Sequence, residues 1–238
     1  MHALDNPIWT ALTTKQAHLA HSGALARRFP PEMTLLGALA ANTAMAFDSL
    51  AQLIQRDAVT LYFSAAPTLP PGWEVVRAVE LHQMVQETEA PPPEPSDPGR
   101  ETLKHAAPPV VELTPADVPE MSVVYAATRP GRTLCPRIQK LGTFVGIRQE
   151  EKLVAIAGLR LHIAGYREIT TVATLPGFEG RGYATALMRA LLERIRMRGD
   201  RPFLTVRTDS MRAIGIYRRL GFKERTRFYS QTIRRAQP

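Results

Sequence analysis

The sequence predicts an α+β fold in which a central sheet is flanked by helices. An apolar, β-branched run over 169–172 is typical of a strand and leads through a glycine-bearing turn into a long amphipathic pattern. That pattern begins at Tyr183, and apolar residues recur at spacings of three and four as far as Ile195, which predicts a helix. A charged, turn-like segment over 149–152 lies between two apolar runs, which predicts an antiparallel hairpin.

The first half of the chain, residues 1–87, is predicted to be a smaller, mostly helical α/β unit. Alanine- and leucine-rich helices are expected over 17–28 and 35–54, separated by the proline-containing break after Phe29. Strands are expected over 59–64 and 73–85.

An acidic, proline-rich stretch over 88–109 follows, with few groups that could be buried. This composition is typical of an extended and partly stiff linker. The sequence therefore predicts three parts, 1–87, 88–109 and 110–238.

Residues 110–238 alternate strand and helix patterns. Thr114 or Asp117 can cap the first helix of this half, which ends before Pro130 and Gly131. The predicted helices after it are 181–198 and 210–220, and the predicted strands are 110–113, 141–148, 153–161, 167–174, 202–206, 222–225 and 227–233.

The turn before helix 181–198 has the composition of an anion site. Gly177, Gly180 and Gly182 lie within six residues, between a strand and a helix. The first amides of a helix have no internal partner, the helix dipole is positive there, and glycines let a phosphate approach the backbone.

The segment from Glu179 to Ala184 resembles the pyrophosphate-binding signature of the GNAT superfamily of acyl-CoA N-acyltransferases, Arg/Gln-x-x-Gly-x-Gly/Ala. Gly182 and Ala184 fill the last two fixed positions, whereas Glu179 stands where Arg or Gln is usual. A carboxylate beside a pyrophosphate weakens binding unless it turns away.

A second segment, from Ser210 to Phe222, is similar to the C-terminal motif of the same superfamily, Asn-x-x-Ala-x-x-x-Tyr-x-x-x-Gly-Phe. Ser210 replaces the usual Asn, and both residues can cap a helix. The two motifs lie about thirty residues apart, and the resemblance covers about 125 residues. It implies a GNAT-like, three-layer fold with a mixed, mostly antiparallel sheet, and it allows residues 1–87 to be an eroded second copy of that fold.

The resemblance also implies an enzyme that moves an acetyl group from acetyl-CoA to a primary amine by direct attack, without a metal. In the family, the pantetheine arm pairs with the strand edge before the loop. The residues implied to bind the cosubstrate are Val172, Ala173, Thr174, Glu179, Gly180, Arg181, Gly182, Tyr183, Ala184, Thr185, Ser210 and Tyr217.

Two catalytic residues are implied. Tyr217 occupies the general-acid position, where a phenol that is protonated at neutral pH can serve the departing sulfur; the alternative is a core tyrosine on a helix face. Glu168 resembles the base of histone-type members, and the alternative is a carboxylate paired with Arg160 or Arg167. His162 is a second base candidate, or a histidine held by structure.

Composition limits the other functions. A single cysteine, Cys135, argues against a disulfide framework and a cysteine-rich zinc site, and we expect a cytoplasmic protein with no signal peptide or membrane span. Residues 1–107 carry 7 basic and 11 acidic side chains, net −4, and residues 108–238 carry 23 and 11, net +12. Such a basic half is also typical of nucleic-acid binding, but its arginines are scattered over helical faces.

The expected partner is therefore a small-molecule or peptide amine, bound by a monomer or homodimer. The sequence leaves open two other functions, a CoA-binding regulatory module without turnover and a basic nucleic-acid binder. It does not identify the acceptor amine.

Overall fold

A computed structural model of the chain describes residues 2–54, 57–86 and 109–236. The helices are α1 (Pro7–Thr13), α2 (Ala44–Leu53), α3 (Val118–Thr128), α4 (Tyr183–Met197) and α5 (Met211–Arg219). The strands are β1 (His21–Ser22), β2 (Ala26–Arg28), β3 (Gly37–Leu39), β4 (Val59–Phe63), β5 (Trp73–Gln86), β6 (Val110–Leu113), β7 (Phe144–Gln149), β8 (Lys152–Ile163), β9 (Tyr166–Thr174), β10 (Arg201–Arg207) and β11 (Phe222–Arg235). The predicted linker, apart from Pro109, lies outside the described residues.

An eight-stranded sheet organises the molecule, in the order β4-β11-β5-β10-β9-β8-β7-β6. Its only parallel pair among the described strands is β9 with β10. Helices α3 and α4 both contact β8 and β9, and the short strands β1–β3 form a separate small sheet. The predicted α+β class, with a mostly antiparallel sheet flanked by helices, is confirmed.

Most element predictions for the second half agree with the structure within a few residues. One was wrong, because the two strands expected at 222–225 and 227–233 form a single strand, β11. Its register against β5 shifts between Glu224 and Thr226, so Arg225 is an extra, bulged residue. A bulge interrupts the alternation of side chains without ending the strand.

Helix predictions for residues 17–54 were largely wrong. The expected helix 17–28 is replaced by a 3₁₀ turn at Ala17–Leu19 and by strands β1 and β2, and only Ala44–Leu53 of the second is helical. Burial explains the difference, since β2 and β3 pair with each other and are largely buried. Such tertiary packing overrides the weak helical preference of alanine and leucine.

Strand β5 is confirmed as a strand, and the structure shows where it lies. It comes from the first half of the chain but lies between β10 and β11 of the second, with Phe203 opposite Val85 and Phe222 opposite Gln86. The strands of residues 57–86 therefore share one sheet with those of residues 110–235. The three-part division of the chain stays a prediction.

Strand β9 is irregular where it approaches the predicted site. Its register against β8 passes from Thr170 opposite Gly158 to Ala173 opposite Ile156, so two residues of β9 face one of β8. Thr171, inside this bulge, has a left-handed φ of 57°, a conformation uncommon for a residue other than glycine. Pairing of β9 with β10 ends at Ile169 and Leu204. Beyond these residues the edge of β9 is no longer paired with β10.

Candidate active site

The glycine loop between β9 and α4 is open and free of side-chain caps. Gly177, Gly180 and Gly182 have φ values of 84°, 78° and 80°, and no atom lies within 4 Å of the position that a Cβ would take. Gly182 is the N-cap of α4 and supplies no capping side chain. The first helical hydrogen bond runs from the Ala186 amide to the Gly182 carbonyl. The amides of the predicted ligand residues Tyr183, Ala184 and Thr185 therefore have no partner within the helix.

Glu179 turns back onto the loop. Its carboxylate accepts a hydrogen bond from the Gly177 amide at 2.7 Å. Arg181 donates to the Gly177 carbonyl at 3.2 Å and lies over the Phe178 ring, 4.9 Å from its centroid. The charged side chains of the loop thus bond its own backbone, and one of its amides already donates a hydrogen bond to a carboxylate.

Beyond Ile169, β9 has a free edge on the side where β10 pairs with its earlier residues. The Leu175 amide donates to the Val154 carbonyl at 2.8 Å, and Ala173 lies opposite Ile156 in the same ladder. Alternate residues of an antiparallel strand point their peptide groups to opposite sides. The peptide group of Thr174 therefore points away from β8, where an extended ligand can pair with it. Val172 lies within the bulge, and its carbonyl accepts a hydrogen bond from Arg129.

Tyr217 lies on α5 with only 8% of its surface exposed and packs edge-to-face on Phe222. Burial raises the pKa of its phenol to about 12, although the charge of Arg129 acts in the opposite direction. The phenol is therefore protonated at neutral pH. Ser210 occupies the predicted N-cap of α5, but its side chain forms no capping hydrogen bond.

Arg129 was missed as a site residue by the sequence analysis. It follows α3, donates to the Val172 carbonyl at 3.3 Å and lies 4.8 Å from the centroid of the Tyr125 ring. Burial lowers the pKa of its guanidinium, and the phenols of Tyr125 and Tyr217 act in the opposite direction. Residues 129–131 indicated only the end of a helix, and no local pattern indicates a contact with a strand 43 residues further on.

Comparison with known proteins identifies the family. A family model described as FR47-like protein matches residues 144–230. The crystal structure of a putative acetyltransferase from the GNAT family of Novosphingobium aromaticivorans aligns over the whole of both chains, with a TM-score of 0.84 and 30% identity. The chain belongs to the GNAT family of acetyltransferases.

Other proteins are similar to all or part of this GNAT chain. The N-alpha-acetyltransferase RimI of Mycobacterium tuberculosis is 37% identical over 93 residues, which make up 36% of this chain and 57% of that protein. An uncharacterized protein of Mycobacterium leprae, ML0378, is 33% identical over 49% of this chain and 36% of its own length. The chain thus spans less than two thirds of these two relatives. A GCN5-related N-acetyltransferase from Kribbella flavida, at 15% identity and a TM-score of 0.60 over 97% of this chain and 96% of its own, shows the fold alone.

Glu168, the predicted base, lies in the interior of the GNAT sheet with none of its surface exposed. Arg160 donates to both carboxylate oxygens, at 2.8 and 2.7 Å, and Thr205 donates at 3.3 Å. Although burial acts against the charge of Arg160, its attraction to Glu168 raises the guanidinium pKa further above its usual range. Of the two roles that the sequence left open for Glu168, the geometry favours the ion pair with Arg160.

His162 and Cys135 have surroundings that do not favour a catalytic role. His162 faces Asp200 at 3.5 Å, and burial lowers the pKa of its imidazole. Burial raises the pKa of the Cys135 thiol, which disfavours the reactive thiolate. Within residues 2–54, 57–86 and 109–236, no three His, Cys, Asp or Glu side chains are grouped as a metal site. In that same part of the chain, no helix has the length and apolar character to cross a bilayer.

Proposed function

We propose that this protein is an N-acetyltransferase that moves the acetyl group of acetyl-CoA to a primary amine. The observation that carries the proposal is the unpaired edge of β9. This edge begins beside Arg129 and leads to the uncapped N-terminus of α4. It offers strand pairing and, at its end, an anion site; a phosphopantetheine thioester would use both, with Tyr217 of α5 as the acid.

The loop suits the phosphates of CoA because it combines free amides with open space. The amides of Tyr183, Ala184 and Thr185 have no partner in the helix, and Gly182 has no side chain to block an approach. The carboxylate of Glu179 opposes an anion here, and it must rotate away from the Gly177 amide. Thr174 would then pair with the pantetheine arm, as would Val172 once its carbonyl parts from Arg129.

The reaction itself needs few groups. The neutral amine attacks the thioester carbonyl carbon, the C–N bond forms, and the C–S bond breaks. The Tyr217 phenol donates its proton to the departing thiolate, the amine loses a proton to water, and the Tyr217 phenolate takes a proton back from water. Because the Tyr217 phenol is protonated at neutral pH, its proton is available when the sulfur leaves. We assign no proton transfer to Glu168, because both of its carboxylate oxygens already accept hydrogen bonds from Arg160.

A CoA-binding module without turnover is the second candidate, favoured by the bond between Glu179 and the Gly177 amide. Single-turnover mixing of the protein with radiolabelled acetyl-CoA and a panel of primary amines separates the two. Transfer of label to any amine, at a rate that Tyr217→Phe lowers, supports the enzyme. Tight CoA binding without transfer to any amine would support the module instead.

A further inference from the structure

The side chain of Arg129 lies at the free edge of β9, where it bonds Val172. Ala173 lies opposite Ile156 in the ladder with β8, and the Leu175 amide donates to the same strand. Residues two apart in a strand turn their amides to the same side, so the peptide between Val172 and Ala173 directs its N–H to β8 and its carbonyl to the free edge. Arg129 donates to that carbonyl at 3.3 Å. Its guanidinium therefore occupies the place from which a pantetheine amide would donate to Val172.

The hydrogen bonds of Arg129 are long, and its partners are neutral. Its guanidinium also donates to the Thr128 hydroxyl at 3.2 Å and lies over the Tyr125 ring, 4.8 Å from the centroid. Both hydrogen bonds exceed the usual N–H···O length of about 2.9–3.0 Å. In the described part of the chain, no carboxylate lies within 4.0 Å of Arg129, whereas Arg160 is paired with Glu168. Arg129 can therefore exchange a neutral partner for a negatively charged one and gain a stronger hydrogen bond.

The surroundings of Arg129 also favour a negative charge beside it. Burial lowers the pKa of its guanidinium, because little water is present to solvate the charge. An arginine remains protonated at neutral pH in spite of such a shift. A negative oxygen next to the guanidinium would relieve the cost of burial, and the attraction is stronger where water is scarce.

The structure of the pantetheine arm brings the thioester to this end of the edge. In the proposed pairing, the phosphates lie at the loop before α4 and the arm runs back along β9 from Thr174 to Val172. Beyond its last amide the arm continues with two methylene groups, the sulfur and the acyl carbonyl. With a strand rise of about 3.3 Å per residue, this spacer carries the carbonyl roughly one to two residues past Val172. The arm amide would take over the Val172 carbonyl and release the Arg129 donor beside the thioester oxygen.

We propose that Arg129 donates a hydrogen bond to the thioester carbonyl oxygen and stabilises the negative charge that this oxygen gains during transfer. This inference rests on the proposed function and adds a catalytic residue to it. When the amine nitrogen attacks the carbonyl carbon, the C–N bond forms and the π electron pair of the carbonyl moves to oxygen. As that pair returns, the C–S bond breaks and Tyr217 protonates the thiolate. Arg129 keeps its protons and its charge throughout, so its bond is strongest when the oxygen is negative.

The first test removes the guanidinium and measures transfer to whichever primary amine the parent acetylates. Arg129→Gln should lower kcat roughly 10²- to 10³-fold, the usual cost of one donor to such an oxygen. The KM for acetyl-CoA should change far less, because the neutral thioester gains little from the charge. Arg129→Met keeps an unbranched apolar stem against Tyr125 and should show the same loss. Thermal unfolding identifies which of the two variants is folded, and a folded variant is the one compared.

The matched control is Arg132→Gln, which removes an exposed arginine from the same loop. It lowers the net charge by the same amount and should transfer at the rate of the parent. If Tyr217→Phe slows transfer while the folded Arg129 variant transfers like the parent, the inference is overturned and the acetyltransferase proposal stands. An equal loss in the Arg132 and Arg129 variants would also overturn it, since the effect would then be one of general charge.

The second test needs no turnover. Acetyl-CoA labelled with a heavy isotope at its carbonyl carbon is bound without an acceptor, and difference infrared spectra give the carbonyl stretching frequency. A hydrogen bond lowers that frequency, so it should be lower in the parent and in Arg132→Gln than in the Arg129 variant. Equal frequencies in the parent and the Arg129 variant would refute the contact with the thioester. If no amine is acetylated, the proposed function fails and these spectra still decide the role of Arg129; absence of acetyl-CoA binding would refute both.

Discussion

The carboxylate of Glu179 accepts a hydrogen bond from the amide of Gly177, 2.7 Å away, in the loop that we propose for the phosphates of CoA. The loop therefore carries its own anion. An incoming pyrophosphate meets a like charge and an amide that is already bonded.

Glu179→Gln should therefore bind CoA more tightly than the parent. The neutral amide still accepts a bond from Gly177 but no longer repels phosphate, and we expect a gain of roughly threefold to tenfold at low salt, about the strength of one partly screened charge pair. Titration calorimetry at two salt concentrations measures it, and the gain should shrink at high salt. Unchanged affinity at low salt would mean that Glu179 does not face the ligand.

Gly182 permits a sharper test of the anion site, because a charge can be added there with a matched control. Its φ of 80° strains any side chain, but Asp and Asn tolerate this conformation about equally well. Gly182→Asp should abolish measurable CoA binding, whereas Gly182→Asn should retain most of it. Calorimetry gives the affinities and thermal unfolding checks that both variants fold. Equal CoA affinity of the two variants would show that the phosphates do not bind at this loop.

Tyr217→Phe tests the general acid, since it keeps the ring against Phe222 and removes only the hydroxyl. We expect the single-turnover rate to fall roughly 10²- to 10⁴-fold, the usual range for one positioned acid, with CoA affinity changed by no more than about 1 kcal/mol. A core tyrosine would instead show reduced stability with a nearly unchanged rate.

The ionisation of Tyr217 adds a pH signature to the same variant. The folded-state pKa of about 12 is above the ordinary value of 10.0, so the unfolded chain releases this proton first as the pH rises. The parent should therefore lose stability between pH 10 and 12, and Tyr217→Phe should lack this part of the loss. Chemical unfolding of both proteins at pH 9, 10, 11 and 12 provides the comparison. Parallel stability curves would show that the phenol is not buried as described.

The variant Glu168→Gln distinguishes a structural ion-pair role of Glu168 from a role as catalytic base. Because it leaves the charge of Arg160 largely buried without a partner, we expect a loss of roughly 3 kcal/mol or more in unfolding free energy. Arg160→Met in the same chain should recover part of that loss, which a double-mutant cycle measures. Transfer by the folded variant should show the pH dependence of the parent. If the variant transfers more slowly than the parent and this difference disappears at high pH, Glu168 acts as the catalytic base.

The local sequence pattern was sufficient to predict many of the helices and strands in the second half of the chain. Strand Val110–Leu113 has its predicted bounds, and α4 begins two residues after the predicted start and ends one residue before the predicted end. Both have strong signals, a β-branched run and a regular apolar face. The motif glycines also indicated an uncapped helix N-terminus, which the structure has.

Features that depend on contacts between distant residues could not be predicted in this way. Residues 17–28 have a helical composition, yet burial of β2 against β3 makes part of them strand. The neighbours of β5 lie more than a hundred residues later, and local periodicity carries no information about them. Arg129 reaches β9 through a long side chain, so its contact depends on the folded arrangement of α3.

The place of β5 in the sheet also bears on how the chain is made. A ribosome releases Trp73–Gln86 well before Arg201–Arg207 and Phe222–Arg235, the two strands that later cover its edges. At typical synthesis rates the interval is about ten seconds or more. Throughout that time the nascent strand has both rows of peptide groups open to any other chain. We therefore expect the yield of folded protein to depend on protection of β5 during synthesis, by a chaperone or by transient local structure.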